Sequence, residues 1–163
     1  MKAIEITSIP HAELAQYGKL LNLKDCKQEN EQVVVTNGDG FLDITTTSPV
    51  IDTVGSLGRT IGTPMPFTLR EMERHLHGEE ALLPIADPIC LCMAPASEHA
   101  PMAKDTIAVI LRPGYVFVLH RGTWHSPAHG LTPDSPYYWL SWTYSGEPTV
   151  WNDVEDGPVR VEL

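Results

Sequence analysis

Positive charge is scarce in this chain. Across 163 residues, 11 lysines and arginines face 21 aspartates and glutamates, for a net charge of −10. Nucleic acid and anionic membrane surfaces both select basic proteins, so neither is expected as a partner. Cysteine is scarce too: Cys26, Cys90 and Cys92 are an odd set. Two of them sit in the apolar run Ile89-Cys90-Leu91-Cys92-Met93, which predicts reduced, buried thiols and a cytoplasmic protein. The opening Met1–Glu5 lacks an apolar core of signal-peptide length. No apolar run approaches the roughly 20 residues that span a bilayer. A glycine-rich phosphate loop, a serine elbow and a paired Cys–His nucleophile are also missing, which removes the common nucleotide-dependent and acyl-transfer chemistries.

What the chain does have is punctuation. Its 14 prolines and 12 glycines favour many short strands over long helices. A short helix is expected over Pro10–Tyr17, stopped by Gly18. Extended segments are expected at Ile4–Ile9, Leu20–Leu23, Gln32–Thr36, Phe41–Thr47 and Arg59–Pro66. Further strands are expected at Ala81–Ile85, Ile89–Ala94, Thr106–Leu111, Tyr115–Leu119 and Tyr137–Tyr144. Asn37-Gly38-Asp39-Gly40 is a turn. The tail from Gly146 reads as acidic and irregular, with Asp153, Glu155 and Asp156 on a solvated face. The pattern predicts one all-β domain over 1–163, a barrel with a short N-terminal helix.

Two stretches carry chemistry. In the first, Glu73 and His75 lie two apart on an extended segment and so share a face, and Glu80 follows four residues after His77-containing Leu76–Glu79 begins. Leu76–Glu79 reads as a hairpin loop with Gly78 at positive φ. In the second, Gly114 is followed by His120, Gly122 and His125. These spacings resemble the paired metal motifs of cupin barrels, His-x-His-x4-Glu and Gly-x5-Pro-x-Gly-x2-His. Here Glu73 replaces the leading His and His120 replaces the Pro. The resemblance implies a cupin-type double-stranded β-helix barrel with Glu73, His75, Glu80 and His125 around one divalent metal ion. Mixed nitrogen and oxygen donors suit Zn, Mn, Ni, Fe or Co alike.

Longer stretches resemble one cupin branch, the ureidoglycolate lyase family. They are Phe67–His75 with its Glu-Arg-His, then Gly78 and Pro84, and later His120-Arg121-Gly122-Thr123-Trp124-His125-Ser126-Pro127. The N-terminal Ile9–Gly18 segment and Arg59 also match, so the resemblance covers most of residues 1–18 and 59–131. It implies a homodimeric cytoplasmic enzyme that splits ureidoglycolate into glyoxylate and urea during allantoin breakdown in purine metabolism. The chain departs from the family at Glu80, where Gln is common. It departs again at Ser141-Trp142-Thr143-Tyr144, where an Asp-Arg pair is usual.

A small carboxylate substrate needs a cation, and Arg59 and Arg121 are the candidates for a bidentate clamp. Trp124 joins them as a substrate-binding residue, with a core or dimer contact as its alternative. His120 and Glu80 are the candidate proton-transfer groups. Two other readings stay open: a different metal cupin enzyme acting on a sugar acid or keto acid, and a non-catalytic small-molecule-binding cupin.

Overall fold

The computed structural model describes residues 1–24, 30–142, 146 and 148–163. Cys26, Thr143 and Tyr144 lie outside the described residues. Two sheets make the body. The first has seven strands: β1 (Ile4–Glu5), β7 (Glu71–Arg74), β9 (Ile89–Ala94), β10 (Ile107–Leu111), β12 (Trp124–His125), β13 (His129–Gly130) and β15 (Val150–Asp153). The second has five: β2 (Gly18–Asn22), β5 (Ser56–Ile61), β8 (Glu80–Pro84), β11 (Tyr115–Leu119) and β14 (Pro136–Ser141). Two ribbons complete the fold, β3 (Val33–Gly38) with β4 (Phe41–Thr46), and β6 (Phe67–Leu69) with β16 (Val159–Val161).

Period-two alternation decides what each residue sees. In β9, Ile89, Leu91 and Met93 join a core shared with Leu82, Phe117 and Leu119 of the five-stranded sheet. That shared core places the two sheets face to face. The intervening Cys90, Cys92 and Ala94 face a second core under Phe67, Leu69, Trp124 and Val161. A strand buried on both faces explains the uninterrupted apolar run. Both cysteines are free and buried, and burial pushes the Cys90 thiol up to about 12. A third core, with Leu21, Ala81, Val116 and Val118, covers the outer face of the five-stranded sheet.

Five expectations change. The helix is only His11–Leu14. Gly18 does not stop it but opens β2, where an added Cβ would lie 2.1 Å from the Val118 carbonyl oxygen. The tail is not irregular: β15 pairs with β7, and β16 pairs with β6. Leu76–Glu79 is not a hairpin loop, because β7 and β8 belong to different sheets. The segment carries the chain across the gap between them. Gly78 is absent from the positive-φ glycines. It is needed for room, since a Cβ there would meet Thr53 Oγ1 at 2.9 Å.

A candidate metal centre between the sheets

The same alternation that builds the cores builds a polar cup. On β7, Met72 faces the outer core, so Glu73 faces the gap. On β12, Trp124 faces the outer core, so His125 faces the gap, directly across from Glu73. His75 follows β7 by one residue and shares the side of Glu73. Glu80 opens β8 on the same parity as Leu82, which belongs to the inter-sheet core. Gly122, at φ 78°, turns the corner from β11 into β12, and its N–H donates to the His75 carbonyl at 2.8 Å. The two motif halves are therefore bonded to each other through the backbone.

Distances confirm the convergence. His75 Nε2 lies 2.6 Å from Glu80 Oε2. His125 Nε2 lies 3.3 Å from the same oxygen and 3.8 Å from Glu73 Oε1. Among the described residues, Glu73, His75 and His125 form a possible metal-binding triad whose donor atoms lie within 4.8 Å of one another. His125 Nδ1 contacts the Thr123 carbonyl at 3.0 Å. A carbonyl only accepts, so the proton is on Nδ1 and Nε2 points into the cup. That Nε2 is buried and makes no hydrogen bond. A buried imidazole nitrogen that faces two carboxylates without a hydrogen bond, its tautomer fixed by a backbone carbonyl, is placed as a metal ligand is. The donor set fits a divalent cation.

Electrostatics separate the two carboxylates. Burial alone would raise Glu80, but the imidazoles of His125 and His75 outweigh it and hold the carboxyl at about 2. Glu73 is raised above the ordinary range, chiefly by burial and also by Glu80, against the opposing pull of His125 and His75. Burial would lower His125, yet Glu80, Glu73 and the Thr123 carbonyl together hold it above the usual imidazole value.

The cup forms one end of a cavity of about 470 Å³. Tyr137, Trp139 and Ser141 of β14 line it, as do Trp142, Val150 and Trp151. Ser141 lies across from Glu80, and Trp151 lies across from Glu73. Sequence reasoning missed the Val150 and Trp151 part of this wall, which comes from β15, in the segment read as an irregular tail. The apolar pair Val150-Trp151 before the acidic stretch was the available signal.

The structure does not bring the other expected residues to the cavity. Arg59 is exposed, paired across from Tyr138 on the outer face of β5, while its neighbour Thr60 lines the cavity. The offset is one residue of strand register. Trp124 is completely buried in the outer core, with its Nε1 donating to Ser97 Oγ and the His99 carbonyl and the Arg74 guanidinium 4.5 Å over its ring. His120 follows inward-facing Leu119 and so turns outward, 3.2 Å from Glu79. Arg121 ion-pairs with exposed Asp52 at 2.7 Å. Arg59, Arg121 and Trp124, expected at the substrate, and His120, expected to transfer the proton, therefore stand outside the cavity lining. Besides His75, the basic side chain on the cavity lining is His77; Arg74 borders the cavity, but its guanidinium lies over Trp124 on the other face of β7.

Two facing sheets with a histidine–carboxylate cup between them define a cupin-type barrel with a candidate metal centre. The profile of the ureidoglycolate lyase family matches residues 1–155, and the chain belongs to that family. It is 26% identical over 145 residues to the ureidoglycolate lyase of Azotobacter vinelandii, covering 84% of this chain and 83% of that protein. It is 25% identical over 133 residues to the enzyme of Pseudomonas syringae pv. tomato, covering 78% and 75%. With that of Pseudomonas savastanoi pv. phaseolicola it shares 31% over 86 residues, 52% of this chain and 50% of the other. Among solved structures, an RmlC epimerase of Mycobacterium tuberculosis superposes with a TM-score of 0.48 at 9% identity, over 72% of this chain and 64% of that one. The chain is a ureidoglycolate lyase-like enzyme.

Proposed function

We propose that the chain is a metal-dependent carbon–nitrogen lyase that collapses a carbinolamine carboxylate, with ureidoglycolate giving glyoxylate and urea. The observation that carries the reading is the convergence of buried His125 Nε2, which makes no hydrogen bond, with Glu73, His75 and Glu80 beside an open cavity. Glu73, His75 and His125 would hold the cation, with Glu80 as a fourth donor. A divalent metal there supplies Lewis acidity toward a hydroxyl or carboxylate oxygen.

The reaction needs two proton movements. The hydroxyl loses its proton as the carbonyl forms, the C–N bond breaks, and the departing nitrogen gains a proton. The cup supplies two carboxylates for that exchange. Whichever of the two the cation leaves uncoordinated carries the proton. Proton transfer by a positioned side chain is typically worth about 10²–10⁴-fold. The substrate carboxylate is anchored from the cavity lining, where His77 stands, rather than by Arg59 or Arg121.

Homodimeric assembly and a cytoplasmic setting belong to the same proposal. They are supported by the family resemblance and the acidic charge. Among the described residues, no helix is long and apolar enough to cross a membrane. The test is elemental analysis of protein purified without chelators, paired with an assay for glyoxylate release from ureidoglycolate. About one divalent metal per chain with metal-dependent glyoxylate release is expected. Metal without release would favour a different metal cupin reaction. Release that survives complete metal removal would overturn the metal-dependent mechanism.

A further inference from the structure

We infer that the substrate carries an apolar or aromatic group on its distal ureido nitrogen, seated on a tryptophan wall beside the metal cup. The inference rests on the lyase reading of this site and names its substrate class more narrowly.

The chain has four tryptophans. One, Trp124, is core; the other three, Trp139, Trp142 and Trp151, line the single cavity that contains the cup. Trp142 and Trp151 remain 38% and 42% exposed, and Leu76 on the same lining is 42% exposed. Exposed tryptophans grouped beside a polar cup are surface that a ligand can cover. The wall is contiguous with the chemistry, because Trp151 is the cross-strand partner of Glu73.

The wall is also built. Trp139 Nε1 donates to Thr60 Oγ1 at 3.2 Å, which fixes the indole. Its ring lies over Gly58, where an added Cβ would come 2.0 Å from ring carbons. Trp142 meets the His77 ring edge-on, centroids 6.3 Å apart. The cavity, at about 470 Å³, falls in the range of roughly 300–1,000 Å³ that suits drug-sized ligands. Ureidoglycolate is small, with oxygen or nitrogen on every carbon, and leaves such a wall largely wet. An N-substituted ureidoglycolate places its hydroxyl and carboxylate at the cup and its substituent against the indoles. The chemistry is unchanged: the hydroxyl proton leaves, the C–N bond breaks, and glyoxylate and a substituted urea form with no oxidant or reductant.

The experiment compares glyoxylate release from ureidoglycolate and from its N-benzyl derivative. In parallel, tryptophan fluorescence is titrated with benzylurea and with urea. The benzyl substrate is expected to show a kcat/KM about tenfold or more above ureidoglycolate, and benzylurea to bind where urea does not. In Trp151→Ala the ratio of the two kcat/KM values falls about tenfold, while Trp151→Phe preserves most of it. Ureidoglycolate turned over with the benzyl compound ignored would overturn the inference and leave the lyase reading standing. Benzylurea binding that depends on Trp151, with neither substrate turned over, would keep the apolar subsite and sink the lyase reading. No turnover and no benzylurea binding would sink both.

Discussion

Glu79 and Glu80 are neighbours in sequence and opposites in fate. Glu80 turns between the sheets and meets His75 at 2.6 Å and His125 at 3.3 Å. Glu79 turns outward and meets His120 at 3.2 Å and Lys19 at 3.7 Å. Both clusters pair glutamate with histidine. The two glutamate side chains are covered almost equally, at 10% and 12% exposure, but His125 is 3% exposed and His120 42%, with Lys19 beside Glu79. A histidine–glutamate pair becomes a candidate metal site through desolvation, not through composition.

The sharpest way to break this contrast is to remove one histidine from each side. His125→Ala should reduce bound divalent metal to about a tenth of stoichiometry or less, because the triad loses its preoriented nitrogen. His120→Ala should leave metal content unchanged. Elemental analysis of both variants checks the pair, and equal loss would mean the buried cluster is not the ligand set.

Proton competition offers the next largest effect. Ligation needs neutral His125, whose pKa lies above the ordinary value. Metal affinity should therefore fall as pH drops through that raised value, and titrations at about pH 5.5 and about pH 7.5 should differ by tenfold or more. In metal-free protein the two buried groups act in opposite senses. The stabilisation from His125 is complete below its unfolded value and is lost as pH rises through the raised one. That from Glu80 is present above 4.5 and is lost as pH falls toward about 2. Chemical denaturation across this range should show a maximum between the two, and a flat profile would mean that neither group is coupled to folding.

Glu80→Gln is subtler. It restores the residue common in the family and removes one charge from the cup. Metal should bind more weakly, by about tenfold, while release of glyoxylate from ureidoglycolate rises. Both are measured on one preparation; no change in either would mean that Glu80 lies outside the working site.

The smallest effect is expected at Arg59→Lys. Its side chain is on the outer face of β5, so kcat/KM should change by less than about twofold. A large loss would move Arg59 back to the substrate.

Much of the cup was legible because strand periodicity and motif spacing are local. Glu73 and His75 lie two apart, and Gly122 before His125 marks a corner. The failures are all non-local. Arg59 and Thr60 differ by one step of register, and only pairing with β14 shows which faces inward. Trp124 beside His125 reads like a substrate platform until the second core is seen behind it. The wall of β15 was hidden because a four-residue strand amid acidic residues has little periodicity of its own. Its identity comes from pairing with β7, far away in the chain.

The crossing segment between β7 and β8 has a mechanical consequence. Glu73 and His125 are attached to one sheet, Glu80 to the other. Whatever holds these side chains together also rivets the sheets at that edge. Separating the sheets and opening the cup are then one motion, and a cation bound there resists it with every ligand bond at once. Amide hydrogens of β8 and β12 should exchange with deuterium as a cooperative pair, slowed together when the cup is filled and released together when it is emptied.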